Sequence, residues 1–139
     1  IIAKYFVLIG NLLHGHEMRG LENIPRNGPA LLILYHASAP IDLLFAHSKI
    51  YLDTGRHVKM VGDRFLFKVP GFRTMLNVIQ ATEGSVDSCV DYIQKTNELL
   101  LISPGGIREG YFGTNMYNVV WNRRMGFARI ATKAKIVIL

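Results

Sequence analysis

Two short apolar runs, each bounded by turn residues, constrain this chain more than any other feature. Residues 30–35 (Ala-Leu-Leu-Ile-Leu-Tyr) follow Asn27-Gly28-Pro29, and residues 98–103 (Glu-Leu-Leu-Leu-Ile-Ser) run into Pro104-Gly105-Gly106. A run of that length without polar alternation reads as a strand buried on both faces. Helical patterns separate the strands. Pro40 suits the first turn of a helix in which Ile41, Leu44, Phe45 and Ser48 keep a helical period to about Asp53, with Gly55 ending it. Residues 57–61 read as a second strand closed by Gly62, and residues 77–81 as a short third. Between them, residues 65–76 are broken by Pro70-Gly71 and read as two short helical turns. Ser85 can cap a helix with Asp87 in its first turn and Val86, Cys89, Val90, Ile93 and Asn97 along one face. A helix over residues 123–134 leads to a last strand at 135–139. The alternation predicts an α/β domain, with a mostly parallel or mixed sheet flanked by helices.

Composition narrows the class. The chain has 139 residues, enough for one domain with a real core. It is 50% hydrophobic and 19% charged, against a typical charged share of about 25%; disorder needs the opposite balance. The single Cys89 excludes an intramolecular disulfide framework and any Cys-only zinc site. His14-Gly15-His16-Glu17 lacks a third ligand nearby and reads as a helix entry rather than a metal site. No Gly-x-Ser-x-Gly elbow and no Walker or Rossmann glycine pattern occurs. The formal charge of +6 makes an anionic partner or surface plausible, and it is uneven. Residues 43–80 carry six basic and two acidic side chains, residues 81–122 two and five, and residues 123–135 five and none.

The ends suggest a larger protein. The chain opens on Ile1 without a Met and stops inside an apolar run, so we expect it to be the core of a longer one, truncated at both ends. Residues 1–13 are apolar but interrupted by Lys4 and fall short of the roughly 20 residues of a membrane span. Residues 1–20 therefore read as a membrane-proximal amphipathic or partial transmembrane helix, and residues 21–139 as the main domain.

Two places can carry chemistry. In parallel α/β sheets ligands bind at the carboxyl ends of strands, and His36 and the Pro-Gly-Gly segment both follow strands directly. His36 and Asp42 are separated by five residues, and a tight turn through Ala37-Ser38-Ala39-Pro40 can fold them together. A carboxylate on one imidazole nitrogen leaves the other free to take a hydroxyl proton. The same pair is equally compatible with a half-buried histidine bonded to a helix N-terminal Asp and doing no chemistry. In residues 103–110, Gly105 and Gly106 allow close approach of main-chain N–H groups to an oxyanion or phosphate. Arg108 adds a forked donor and Glu109 an acceptor. A plain glycine-rich turn is the alternative reading.

Together the motifs resemble the lysophospholipid and glycerol acyltransferase superfamily. Its signature is a His-x4-Asp pair after a buried strand, then a basic, Pro-containing block, then Phe-Pro-Glu-Gly-Thr-Arg after another strand. His36 and Asp42 match the first element with one extra residue between them; Phe67-Lys68-Val69-Pro70-Gly71-Phe72 looks like the second, and the segment from Pro104 to Arg108 the third. The resemblance runs from Leu21 onward. Gly105 stands where the usual Glu is, giving Pro-Gly-Gly-x-Arg-Glu, the form found in acylglycerol acyltransferases that make diacylglycerol and triacylglycerol. With Gly20-Leu21-Glu22-Asn23-Ile24-Pro25, the chain looks closest to their transmembrane protein 68-like branch, which resides in the endoplasmic reticulum.

The resemblance implies direct acyl transfer from acyl-CoA to a glycerolipid hydroxyl, with no acyl-enzyme. His36 would take the hydroxyl proton and Asp42 would steady the imidazolium. Amides near Gly105 and Gly106 would stabilise the oxyanion, with Pro104 and Glu109 lining the same segment. Arg108, Lys68 and Arg73 would hold CoA phosphates. Acyl-CoA is a substrate, and no metal or other cofactor is implied. Phosphate-accepting members carry an Arg where this chain reads Gln80-Ala81-Thr82-Glu83, so the implied acceptor is neutral monoacylglycerol or diacylglycerol. The implied location is a membrane lipid surface, the endoplasmic reticulum with the domain facing the cytosol, and not nucleic acid. A lysophospholipid acyltransferase, a hydrolase using the same pair, and a non-catalytic lipid-binding module of this fold are the competing readings.

Overall fold

The structure, a computed structural model, describes residues 2–36, 41–78, 81–114 and 116–139. The two apolar runs form β1 (Ala30–Ile33) and β4 (Leu99–Ile102), paired in parallel with Leu31 opposite Leu100 and Ile33 opposite Ile102. Around them the chain runs α1 (Ile2–His14), β1, α2 (Ile41–Thr54), β2 (Val58–Gly62), α3 (Phe72–Val78), β3 (Thr82–Glu83) and α4 (Val86–Lys95). After β4 come α5 (Gly106–Phe112), α6 (Gly126–Ala134) and β5 (Val137–Ile138). The strands form one five-stranded sheet in the order β3-β2-β4-β1-β5, and every pairing is parallel.

Alternation along the central strands divides the core in two. Leu31 and Leu100 point to one face and pack with Cys89 and Ile93 of α4 and Ile130 and Ala131 of α6. Ala30, Leu32, Leu99 and Leu101 point to the other and pack with Val58, Met60 and Ile50. Both faces are thus covered, as a continuous apolar strand requires. Helix α1 lies against α2 because Gly10 has no side chain: a Cβ there would stand 3.0 Å from the Phe45 ring.

Several elements match the sequence reading closely. Ser85 caps α4, its Oγ accepting from Ser88 N–H at 3.1 Å. Pro70-Gly71 separates a 3-10 turn (Leu66–Lys68) from α3, with Gly71 at φ 84°. The third strand differs. Helix α3 continues to Val78, Ala81 N–H closes on Leu76 O at 2.8 Å, and the strand forms only at Thr82 and Glu83, opposite Val61 and Gly62. The rest of that expected strand, residues 79–80, lies outside the described residues. Helix α6 starts at Gly126 rather than at residue 123, since Asn122 adopts φ 53° and residues 122–123 form a turn. Helix α5 at Gly106–Phe112, in a stretch to which the sequence assigned no regular element, is the largest addition.

Two measurements probe this core. Leu100→Ala removes a fully buried side chain from the middle strand and is expected to cost about 2–5 kcal/mol, read as a lowered denaturant midpoint. Burial pushes the Cys89 thiol up to about 11 from an ordinary 9.0. The folded chain keeps that proton where the unfolded chain loses it, so stability falls as pH rises from about 9 toward 11. A thiol reagent at pH 8 is expected to label Cys89 far more slowly in the folded than in the unfolded chain.

Candidate active site

The parallel pairing of β1 and β4 ends both strands at the same level, and the two motifs emerge side by side. Leu34 N–H donates to Ile102 O at 3.2 Å, one step past the last strand pair. Two residues later His36 N–H donates to Oε2 of Glu109 at 3.0 Å. The other carboxylate oxygen of Glu109 accepts from Val120 N–H at 3.4 Å. Glu109 has no exposed surface, so one buried carboxylate of α5 ties the end of β1 to the segment that leads into α6.

Glycines make this arrangement possible. A Cβ on Gly105 would lie 2.7 Å from Oε2 of Glu109. Gly106 takes φ +54°, a left-handed conformation that favours glycine, and its N–H closes the turn onto Ser103 O at 3.1 Å. Gly113, beyond α5, lets the Tyr35 hydroxyl approach the main chain. The Tyr35 ring then meets Tyr117 edge-on at 5.4 Å.

The residues singled out in the sequence are distributed as follows. His36 is half-buried at the end of β1. Asp42 is exposed in the first turn of α2, and among the described residues no hydrogen bond or ion pair joins it to His36. The tight turn expected at residues 37–40 lies outside the described residues. Pro104 and Gly105 are buried, Gly105 against the Glu109 side chain, while Arg108 is exposed on α5. Lys68 and Arg73 are exposed after β2, and neither they nor Arg108 has a hydrogen-bond or ion-pair partner among the described residues. The main-chain N–H of Gly106 is already engaged, so it does not face a substrate oxyanion.

Sequence reasoning missed Arg124. Its guanidinium donates to Gly105 O at 2.9 Å and Pro104 O at 3.3 Å, fixing the Pro-Gly-Gly turn from outside. The acid-free stretch 123–135 was a signal, since a cation without a carboxylate nearby can take main-chain carbonyls instead. Glu83, in the segment lacking the family Arg, stands 3.8 Å from Arg64 at the surface.

A family model described as Acyltransferase matches residues 15–139. The chain belongs to the Acyltransferase family. The chain is 45% identical over 126 residues to a Bos taurus protein described as "DGAT1/2-independent enzyme synthesizing storage lipids", covering 91% of this chain and 37% of the relative. The Homo sapiens protein of the same description is 45% identical, with 91% and 39% covered. Phytyl ester synthase 2, chloroplastic, of Arabidopsis thaliana is 27% identical over 140 residues, covering 94% of this chain and 20% of its own. The chain thus spans little more than a third of the length of these two relatives. No solved structure matches it.

Arg124→Leu removes both carbonyl contacts and is expected to destabilise the chain by about 1–3 kcal/mol, measured by chemical denaturation. An unchanged midpoint would show that the Pro-Gly-Gly turn holds without it.

Proposed function

We propose that this chain is the core of an acyl-CoA-dependent O-acyltransferase that moves a fatty acyl group to a glycerolipid hydroxyl, with monoacylglycerol or diacylglycerol as acceptor. One observation carries the reading: in a member of the Acyltransferase family, His36 stands at the carboxyl end of β1 with its main chain bonded to the Pro-Gly-Gly helix. Ligands of parallel α/β sheets bind at that edge.

His36 takes the proton of the acceptor hydroxyl as its oxygen attacks the thioester carbonyl of acyl-CoA. The tetrahedral intermediate collapses with departure of the CoA thiolate, which receives the proton. Asp42 steadies the imidazolium; catalytic hydrogen bonds often tighten only when substrate is bound. The oxyanion is met by main-chain N–H groups around the Pro-Gly-Gly turn other than that of Gly106. Lys68, Arg73 and Arg108 are exposed cations suited to CoA phosphates. Glu83 beside Arg64 in place of a free Arg favours an uncharged acceptor, and the storage-lipid description of the relatives points the same way.

A lipid acceptor would be met at a membrane surface. Two exposed apolar surfaces support this. Ile2, Tyr5, Leu8 and Leu12 line the outer side of α1, and Tyr111, Phe112, Met116, Tyr117 and Val119 stand out beyond the site. The stretch 110–122 contains no charged residue, and exposed aromatics of this kind suit a lipid interface. Among the described residues no helix is long and apolar enough to cross a membrane; the exposed apolar surfaces are the ones we propose to meet the bilayer. The endoplasmic reticulum, with the domain facing the cytosol, is the location we propose.

His36→Ala in the full-length protein, assayed in membranes with labelled oleoyl-CoA and monoacylglycerol, is expected to lower acyl transfer by about 10²–10⁴-fold. Full activity would end this mechanism. Release of free fatty acid without acceptor would point to a hydrolase instead.

A further inference from the structure

We infer that Glu109 is a positioning residue for His36, and that Gly105 is glycine because the Glu109 carboxylate occupies the space above it. The inference deepens the acyltransferase reading and rests on it for its kinetic arm alone.

The geometry has three parts. The carboxylate is buried without exposed surface, at a place where an unsatisfied charge is costly. Its two oxygens each accept a main-chain N–H, from His36 and from Val120, residues 84 positions apart brought together by one side chain. A Cβ at position 105 would fall 2.5 Å from Cδ and 2.7 Å from Oε2 of Glu109. Glu109 therefore sets where the main chain of His36 lies, and Gly105 leaves room for it to do so.

The same overlap explains the pairing of Gly105 with Glu109. The motif that the segment resembles carries its Glu where Gly105 stands here. Residue 109 lies one helical turn further on, and its side chain reaches back over residue 105. In this chain the space beside the His36 main chain is taken by the side chain of Glu109, from α5.

Both groups bound by Glu109 are donors, so both of its oxygens must accept. A glutamine offers one acceptor and one donor, and is not a conservative replacement here. In the full-length protein, E109Q is expected to lower kcat by about ten- to a hundredfold, since small displacements of a catalytic group have effects of that size. KM for acyl-CoA is expected to stay within about twofold, because no substrate contact is removed. G105A, whose methyl group displaces the carboxylate, is expected to give the same split. Combined with E109G, which removes the side chain it collides with, G105A is expected to add little further loss.

A second readout needs no substrate. Carbethoxylation of His36 by diethyl pyrocarbonate, followed by peptide mass spectrometry, is expected to change in rate in E109Q and G105A, with circular dichroism like the parent. If the parent transfers no acyl group, the functional reading fails while this measurement still tests Glu109. The inference is overturned if E109Q leaves both kcat and the His36 modification rate unchanged, or if G105A multiplies the loss in the E109G background.

Discussion

The parallel pairing of β1 with β4 is the constraint on which the rest of the molecule depends. Each strand is apolar on both faces, so helices must cover both sides of the sheet: α2 on one, α4 and α6 on the other. Polar groups can then enter only at the strand ends. With Ile33 opposite Ile102 the two strands stop level, and His36 and the Pro-Gly-Gly turn are delivered to one edge. A one-residue slip in that register would exchange the buried faces of a whole strand.

The edge is held by polar contacts to main chain more than by side-chain pairs. Glu109 accepts from His36 and Val120, and Arg124 donates to the carbonyls of Pro104 and Gly105. At the opposite end of the sheet Arg56 donates to Pro25 O at 2.6 Å and to Asn97 O. Some of the basic excess is therefore structural. The exposed pairs Lys133–Asp87 and Arg64–Glu83 contribute little to stability. Lys68, Arg73 and Arg108 make no such contact among the described residues and stand at the surface.

Much of the framework was legible because it is local. The strand runs, the Ser85 cap and the break at Pro70-Gly71 each follow from a few adjacent residues and one backbone preference. Helix α5 was not, since Gly106 and Gly110 are poor helix formers and the Pro-Gly-Gly segment reads as a turn. What stabilises it lies outside the segment: the His36 and Val120 amides on Glu109, and Tyr35 against Gly113. Strand β3 was misplaced because its position depends on the last residues of β2, with Val61 opposite Thr82.

The sequence alone determined the α/β class, with a mostly parallel or mixed sheet, and the family resemblance, because apolar run length, turn residues and motif order are properties of neighbouring residues. That every pairing is parallel came from the fold. It also placed His36 and the Pro-Gly-Gly segment just after strands. Only the tertiary structure decided what Glu109 does. On sequence it was an acceptor for substrate; in the fold its carboxylate is buried and bonded to main chain on both sides. Burial and long-range partners arise only when strands pair and helices close over them, and no spacing along the chain encodes them.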